Sequence, residues 1–336
     1  MVINQMPSTY KIFIFSLLFK ILFINANFTV IAEETFDVWL SSYKKFALEK
    51  GVSQDTLNVA FKNVKFLDQV IKYDRKQPEF FEDTITYVSK RANILRANRA
   101  KKLLRENINL FNDIENKFSV EKEILLSLWG IETNFGKHVG KMDIISCLAT
   151  LSFDKRRRDF FSSQLLILLQ LIDKKLIDPD ILYGSWAGAY GNFQFMPSTI
   201  KNYAIDYDGN NKIELKKSLF DSTASAANYI NKIGWKMGEP CFYRVKLVKK
   251  INNKYINISA RNIKNRLKID KWKKMGIVSF DGREINTKLK AALILPDNNE
   301  NSPAYLVFQN YEKILKWNRS LRFGISVCTL SNMIKL

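Results

Sequence analysis

The chain has 336 residues, of which 46% are hydrophobic and 13% are aromatic, and this content argues against a disordered protein. The length accommodates one large domain or two ordinary ones. A formal net charge of +20, from 53 basic and 33 acidic side chains, suggests an anionic partner such as nucleic acid, acidic lipid or an acidic polymer. The alternative is a Lys-, Asn- and Ile-rich composition whose lysines are spread over solvated faces.

Residues 1–32 are predicted to be an export signal. Lys11 precedes an apolar stretch that Lys20 interrupts once and that ends before Glu33. A transmembrane anchor requires about 20 uninterrupted apolar residues, so a cleaved signal is the favoured interpretation. No Leu-x-Gly-Cys lipid-attachment sequence follows. We therefore expect a soluble, exported protein in the periplasm.

The three cysteines are Cys147, Cys241 and Cys328, which are widely separated along the chain. One disulfide is compatible with an oxidising compartment, but their spacing does not require it. We interpret them mainly as buried apolar residues.

The chain is predominantly helical up to residue 236. Helical spacing of apolar residues continues from residue 35 to about 115, and a further helix is predicted over 119–134. Ser119 is the expected N-cap of that helix, with Glu121 and Glu123 in its first turn. The segment 158–175 predicts a strongly apolar core helix that is too short to cross a membrane.

Short β-rich runs begin at Cys241, in "CFYRVKLV", "KYINIS", "KAALILP" and "AYLVFQN", and helical sequence returns in "YEKILKW" and "GISVCTLSNMI". The pattern predicts a mainly α protein with a small β subdomain. The expected divisions are an N-terminal helical region (33–120), a central core (121–236), a β-rich insertion (237–303) and C-terminal helices that pack on the core (304–336).

Glu132 stands at the end of the apolar run "LSLWGIETNFGK". Leu125, Leu128 and Trp129 precede it by seven, four and three residues, so all share one helical face that should be at least partly buried. Desolvation raises the pKa of a carboxyl group, and a protonated carboxyl in an apolar pocket suits the protonation of a glycosidic oxygen. The alternative is a local cap or a salt bridge with Lys137.

The segment "YGSWAGAYGNFQFMPSTI" (183–200) contains three glycines, and Pro197 is suited to the first turn of a helix. Glycines at this density permit a close backbone approach and could form a floor for a polymer chain. The alternative is a turn-rich loop.

Several motifs together resemble the lytic transglycosylase B family of bacterial cell-wall enzymes. They are "YDRKQPEFF", "WGIETNFG", "LATLSFDKRRRDFF", "SWAGAYGNFQFMPST", "DYDGNNKIEL", "FDSTASAANYINKIGW", "AALILPD" and "YLVFQNYEKILKWNRS". The resemblance implies a lysozyme-like catalytic core. It also implies cleavage of the β-1,4 bond between N-acetylmuramic acid and N-acetylglucosamine in peptidoglycan, with a 1,6-anhydromuramoyl end.

This resemblance places Glu132 at the family's catalytic position. Ordinary glycosidases use two carboxylates. In the family, one glutamate acts as acid towards the leaving oxygen and then as base towards the muramic acid 6-hydroxyl, which attacks within the same molecule. A second acidic residue is therefore not expected.

The resemblance also implies a set of substrate-binding residues. Ser185 matches a serine near the catalytic carboxyl, Gln194 a glutamine that contacts substrate and Tyr229 a tyrosine that lines the cleft. Arg156 and Arg157 match paired arginines that reach the stem peptide, whose carboxylates suit forked guanidinium donors. The alternative for this pair is a solvated basic turn.

Two further aromatic positions of the family fall on Trp317 and Phe323. The family often has tyrosines there, so we expect a hydroxyl contact to be lost.

The segment 206–215 reads as an EF-hand-like loop. Asp206, Asp208 and Asn210 supply side-chain oxygens at alternate positions, and Lys212 offers its backbone carbonyl. In the family a later acid completes the set, and Asp221 fits that place.

The match to an EF-hand is incomplete. Asn211 occupies the glycine position, although Asn tolerates the left-handed conformation, and Lys217 occupies the position of the bidentate Glu. Calcium, or alternatively sodium, is expected to stabilise the loop without a chemical role. The alternative is a turn held by its own side chains. No organic cofactor is expected.

Two rival functions remain open. A lysozyme-type muramidase would use water in place of the 6-hydroxyl, and a non-catalytic cell-wall or nucleic-acid binding protein would use only the basic surface. His138 is the single histidine, so Ser-His-Asp triads and His-rich zinc sites lack their parts. The expected partner is peptidoglycan with its stem peptides, without nucleic acid; envelope association and a monomeric state are also expected.

Overall fold

A computed structural model describes residues 34–77 and 81–335 of the chain. The described residues divide into two compact units at residue 41, and the first contains residues 34–41, with the start of a helix that begins at Phe36. The predicted export signal lies outside the described residues. Among those described, no helix has both the length and the apolar character needed to span a bilayer.

Helices account for most of the described structure, and their bounds follow. They are α1 (Phe36–Glu49), α2 (Gln54–Ala60), α3 (Asp68–Arg75), α4 (Thr84–Arg91), α5 (Ile94–Glu106), α6 (Ile108–Phe118), α7 (Lys122–Thr133), α8 (Ile144–Phe153), α9 (Arg158–Asp173), α10 (Pro197–Tyr203), α11 (Leu219–Lys232), α12 (Ile269–Lys274), α13 (Gln309–Trp317) and α14 (Leu321–Lys335).

Short polar side chains begin many of these helices by accepting a hydrogen bond from a backbone N–H of the first turn. These caps are Ser53 for α2, Asp83 for α4, Asn93 for α5, Asp143 for α8 and Ser218 for α11. The predicted segment 158–175 is confirmed as α9.

The start of α7 differs from the prediction. Ser119 adopts a left-handed conformation with φ 51° and ends α6, so its assignment as the N-cap of α7 is wrong. Glu121 occupies the N-cap position, and the Glu115 carboxylate accepts a hydrogen bond from the Lys122 N–H at 3.1 Å. The Glu121 carboxylate accepts hydrogen bonds from the Trp235 indole at 2.6 Å and from a backbone N–H, so it anchors this end of the helix.

α7 is the central helix of the α-rich part, and α5, α6, α11 and α14 pack around it. Leu125, Leu126 and Leu128 of α7 are fully buried. Each such side chain contributes about 1.5–3 kcal/mol of burial free energy. The segment that carries Glu132 is therefore held rigidly.

The β strands form two sheets. Strands β1 (Met142–Asp143) and β2 (Tyr183–Gly184) make a small antiparallel pair. The larger sheet has the order β4-β7-β8-β3-β6, in which only β4 and β7 run parallel, and β5 pairs with β7. Its strands are β3 (Phe242–Leu247), β4 (Ile256–Asn257), β5 (Leu267–Lys268), β6 (Ile277–Ser279), β7 (Lys290–Ile294) and β8 (Ala304–Val307).

The division expected at residue 303 cuts through this larger sheet, because β8 pairs with both β3 and β7. One sheet face covers a core that includes Trp272 of α12, Val245, Leu293 and Leu306. The β-rich module, residues 241–307, therefore extends beyond the boundary drawn from sequence. The predicted class, mainly α with a small β subdomain, is confirmed.

A disulfide joins Cys241, at the start of the β-rich module, to Cys328 in α14, with their Cα atoms 6.1 Å apart. The interpretation of these two cysteines as merely apolar residues is therefore wrong. Cys147 is a free, buried thiol, and desolvation raises its pKa to about 12, so it behaves as the expected apolar side chain.

Candidate active site

Glu132 lies in the last turn of α7 and is half-buried. Leu125, Leu128 and Trp129 on the same face are buried, so the predicted apolar face is confirmed. The Trp317 indole Nε1–H donates a hydrogen bond of 2.8 Å to Oε1 of Glu132. A carboxyl group at this position therefore combines an apolar support with a fixed donor.

The backbone that follows Glu132 is unusual. Residues 134–136 all have positive φ, and Phe135 has φ 59°, which is rare for a bulky side chain. A non-glycine residue in this left-handed conformation destabilises the folded state by about 1–3 kcal/mol, and such residues occur preferentially at functional sites. The Phe135 ring packs edge-on against Trp129 at 5.5 Å, and a Cβ on Gly130 would lie 2.7 Å from that ring. The absence of a side chain at Gly130 thus leaves room for the Phe135 ring.

Aromatic rings form a row beside the carboxyl group. Trp317 stacks on Tyr229, with ring centroids 5.2 Å apart, and Tyr229 stacks on Tyr203 at 4.5 Å. Phe195 contacts the Trp317 ring at 5.3 Å, and the Tyr229 hydroxyl donates to the Lys316 carbonyl at 3.0 Å. Desolvation raises the pKa of Tyr229 to about 12, so its hydroxyl is uncharged at neutral pH.

The glycine-rich loop lies close against neighbouring segments. A Cβ on Gly191 would lie 2.5 Å from the Leu215 carbonyl oxygen, so the predicted close backbone approach is confirmed. Ser185 and Gln194 are half-buried in this loop. The Ser185 hydroxyl accepts a hydrogen bond from the Ala189 N–H at 3.0 Å, and Gln194 Nε2 donates to the Val139 carbonyl at 3.1 Å. Gln194 thereby ties the loop to the segment that follows Glu132.

Asn192 is a buried residue that sequence reasoning missed. Its Oδ1 accepts a hydrogen bond from the Trp129 indole at 3.3 Å, and its carbonyl accepts one from the Thr133 hydroxyl at 2.8 Å. Its amide group donates to the Lys216 carbonyl at 3.2 Å and to the Ser222 hydroxyl at 3.4 Å. Asn192 therefore links the Glu132 helix to the segment that follows the acidic loop. No sequence signal distinguishes it from an ordinary loop asparagine.

Arg156 and Arg157 gather around Asp74, whose side chain is 1% exposed. Arg156 Nε donates to Asp74 Oδ2 at 2.8 Å, Arg157 lies 3.6 Å from Oδ1, and Arg75 also pairs with Asp74 at 2.7 Å. Residues 155–160 line an open depression of about 380 Å³. The arginines are therefore held in place by a buried carboxylate, which the sequence analysis did not single out although it lies in a matched motif.

Phe323 lies in the first turn of α14 and is 3% exposed. Its assignment as a substrate-binding residue is wrong, because the ring is packed in the core and cannot contact a ligand. Trp317, in contrast, is half-buried. It lacks the hydroxyl of the tyrosine that the family often has at this position, but its indole N–H supplies a hydrogen-bond donor instead. His138 is exposed in the loop after α7.

The acidic loop brings together carboxylate oxygens of Asp206, Asp208 and Asp221 within 4.8 Å of one another. Asp206 accepts backbone hydrogen bonds from Gly209 and Asn211 at 2.8 and 2.7 Å. Asn211 has φ 66°, so the left-handed conformation expected at the glycine position is confirmed.

These residues fit a hard cation such as calcium, which prefers several oxygen ligands. Asp221 is fully buried and accepts hydrogen bonds from the N–H groups of Tyr207 and Glu214 at 2.8 and 2.9 Å. Asn210 Oδ1 accepts from the Lys212 N–H at 2.9 Å. Each carboxylate keeps lone pairs for an ion, while these hydrogen bonds also support the alternative of a self-stabilised turn.

The chain matches the family described as "Transglycosylase SLT domain" over residues 35–332, and it belongs to this family. It is 30% identical over 233 residues to the membrane-bound lytic murein transglycosylase B of Escherichia coli (strain K12). That match covers 68% of this chain and 62% of the relative, so the chain spans less than two-thirds of the relative's length.

Solved structures show the same fold. SltB3 from Pseudomonas aeruginosa, in complex with NAG-NAM-pentapeptide, matches with a TM-score of 0.81 and 30% identity over 90% of this chain and 80% of that chain. Its complex with NAG-anhNAM-pentapeptide gives a TM-score of 0.80 with the same identity and coverage. Slt35 of Escherichia coli in complex with calcium matches in fold, with a TM-score of 0.74, 24% identity, and 88% and 92% coverage of the two chains. The expected lysozyme-like core is thus confirmed.

Proposed function

We propose that this protein is a lytic transglycosylase that cleaves the β-1,4 bond between N-acetylmuramic acid and N-acetylglucosamine in peptidoglycan. The observation that carries the proposal is Glu132, held at the end of a buried helix and fixed by an indole donor at 2.8 Å, in a chain of the Transglycosylase SLT domain family. SltB3, a relative of the same fold, binds NAG-NAM-pentapeptide and NAG-anhNAM-pentapeptide.

The reaction needs one carboxyl group. Protonated Glu132 transfers its proton to the glycosidic oxygen as the C1–O4 bond breaks. The 6-hydroxyl of the same muramic acid then forms the C1–O6 bond, and its proton returns to the Glu132 carboxylate. The nucleophile is tethered, which supplies an effective molarity of about 10⁵–10⁸ M and removes the need for a second carboxylate to position water.

The surrounding residues have supporting roles in this proposal. Ser185, Gln194 and Tyr229 line the glycan cleft around Glu132, as the family resemblance implies. Arg156 and Arg157 bind carboxylates of the stem peptide, because Asp74 orients both guanidinium groups while leaving them 44% and 39% exposed.

We further propose a structural cation in the acidic loop, held by Asp206, Asp208, Asp221, Asn210 Oδ1 and the Lys212 carbonyl. Calcium suits this all-oxygen set, with sodium as the alternative. The ion would neutralise clustered carboxylates and stabilise the loop, and it has no part in bond cleavage.

We propose a periplasmic location and a monomeric protein. The Cys241–Cys328 disulfide supports an oxidising compartment, because disulfides seldom persist in a reducing cytosol.

Envelope association is proposed to use the β-rich module. Residues 241–300 carry 15 Lys and Arg against 5 Asp and Glu, which accounts for half of the net charge. On the outer face of β3 and β6, the guanidinium of Arg244 lies 3.7 Å from the ring centre of Phe280, and Lys246 lies 4.8 Å from it. All three side chains are exposed, so the face suits an anionic membrane surface.

Mass analysis of muropeptides tests the function. The proposed enzyme releases anhydro ends, which weigh one water less than the reducing ends that a muramidase would produce. Glu132→Gln should lose nearly all turnover while still binding peptidoglycan. A mutant that still clears a peptidoglycan suspension would show that Glu132 is not the catalytic acid, and a wild type without turnover would favour a binding protein.

A further inference from the structure

We infer that Trp317 is a positioning residue that determines which oxygen of Glu132 carries the catalytic proton. The inference rests on the proposed function, and it starts from the hydrogen bond of 2.8 Å between Trp317 Nε1–H and Glu132 Oε1. The two residues are 185 positions apart in the chain, so the bond depends on the docking of α13 beside α7.

An indole N–H only donates hydrogen bonds. In a neutral carboxyl group the carbonyl oxygen is the acceptor and the hydroxyl oxygen is the donor, so a donor fixed at Oε1 favours the form with its proton on Oε2. Oε2 is then the oxygen that protonates the glycosidic oxygen. After transfer the same N–H bonds to a carboxylate, and this charge-assisted bond is stronger. Trp317 therefore directs the acid step and stabilises the carboxylate that acts as base.

The indole is held in the orientation that this role requires. Trp317 is the last residue of α13, and its ring is packed between Tyr229 and Phe195. The Tyr229 hydroxyl donates to the carbonyl of Lys316, the preceding residue, which restrains the backbone at the same point. Ring and backbone are both fixed, so the N–H direction is fixed as well.

The alternative is that the bond only stabilises the fold. The chain contains a matched control for this alternative, because Trp235 Nε1 donates to Glu121 Oε2 at 2.6 Å beside the start of the same helix. Trp235→Phe removes an indole–carboxylate bond at the opposite end of α7 from Glu132. If such bonds are purely structural, the two tryptophan variants should behave alike.

The first test is the pH dependence of kcat/KM for Trp317→Phe and Trp235→Phe. A donor to the carboxylate lowers the pKa of a carboxyl group, so removing it raises that pKa. Activity requires protonated Glu132, and we therefore expect the alkaline limb of Trp317→Phe to move up by about one pH unit. We also expect kcat to fall at least about tenfold with little change in KM. Trp235→Phe should lower the Tm without changing the pH of the alkaline limb of kcat/KM.

The second test needs no turnover. In protein with ¹³C-labelled glutamate carboxyl groups, NMR titration follows Glu132, whose resonance is assigned by its loss in Glu132→Gln. We expect the titration midpoint to rise in Trp317→Phe, to stay in Trp235→Phe and to recover partly in Trp317→Tyr, which restores a donor. An unchanged midpoint in Trp317→Phe, or equal shifts in both phenylalanine variants, would overturn the inference.

A third measurement uses the wild type and does not depend on the folding of a variant. The Trp317 indole ¹H–¹⁵N resonance should shift with the midpoint of the Glu132 carboxyl resonance, and it should lose this titration in Glu132→Gln. If the chemical shift of the Trp317 indole does not change with pH at the Glu132 midpoint, the inference is contradicted. The proposed function is tested by a different measurement: it is contradicted if the muropeptides released by the wild type carry no anhydro ends.

Discussion

The Thr133 hydroxyl donates a hydrogen bond of 2.8 Å to the backbone carbonyl of Asn192, directly beside Glu132 in the chain. The same hydroxyl accepts from the Gly136 N–H at 3.0 Å. One buried side chain thus joins the end of α7, the turn that follows it and the glycine-rich loop. These bonds fix the backbone at Thr133, the residue that follows Glu132, relative to the glycine-rich loop.

Thr133→Val should lower the free energy of unfolding by about 1–3 kcal/mol, because the buried hydrogen-bonding groups lose their partner while the side-chain shape is kept. Urea unfolding measures this change. Thr287→Val is the control: this residue of the β-rich module is half-buried, its hydroxyl accepts an exposed hydrogen bond from the Leu289 N–H, and the variant should stay within about 0.5 kcal/mol of the wild type. Equal effects of the two substitutions would contradict a structural role for the Thr133–Asn192 bond.

Arg156→Ala should reduce turnover of peptidoglycan that carries stem peptides by about tenfold or more, because a charge-assisted contact with a carboxylate is lost. Turnover of glycan strands stripped of peptide should change little. The comparison is a ratio of initial rates on the two substrates. Arg261→Ala, at an exposed site in the β-rich module, is the control. If Arg156→Ala lowers the initial rates on both substrates equally, Arg156 does not bind the stem peptide.

Calcium should raise the Tm, because a ligand that binds only the folded state at a hundredfold excess over Kd adds about 2.7 kcal/mol of stability. Thermal unfolding in EDTA and in calcium measures the difference. Asp208→Asn should remove most of it, whereas Asp281→Asn, an exposed carboxylate in another turn, should not. A Tm that is the same in EDTA, sodium and calcium would favour the self-stabilised turn.

Replacing both Cys241 and Cys328 by Ala should lower the free energy of unfolding by about 4 kcal/mol, since the bond closes a loop of 87 residues. Denaturant unfolding under oxidising conditions gives the value. Under reducing conditions the wild type should approach the double variant. Cys147→Ala is the control, because Cys147 forms no disulfide. Reducing conditions should lower the stability of this variant by the same amount as they lower that of the wild type.

Vesicles that contain anionic lipid should sediment the protein, and neutral vesicles should not, if the outer face of β3 and β6 binds the envelope. A double substitution of Arg244 and Lys246 by Gln should weaken this binding several-fold, while muropeptide release from soluble glycan fragments stays unchanged. Substitution of Lys101 and Lys102 by Gln, in α5, removes the same charge elsewhere on the protein. Equal losses in both double variants would indicate a general charge effect.

Much of the secondary structure and the half-buried position of Glu132, the central residue of the candidate site, could be predicted from the sequence. The apolar periodicity of α7 placed Glu132 on a buried face, and short β-rich runs marked the main strands after Cys241. These features depend on neighbours within a few positions, where side-chain spacing decides which face is covered. The long motifs that resemble the lytic transglycosylase B family added Arg156, Gln194 and Asp221.

Tertiary structure decided the contacts between distant segments. Trp317 could be named as an aromatic residue, but its hydrogen bond to Glu132 requires α13 to dock beside α7. Phe323, a few residues further on, instead faces the core. The anchoring of Arg156 by Asp74 and the disulfide between Cys241 and Cys328 likewise join residues that local patterns do not connect. Short-range periodicity determines which side chains are buried, whereas the path of the folded chain determines which of them meet.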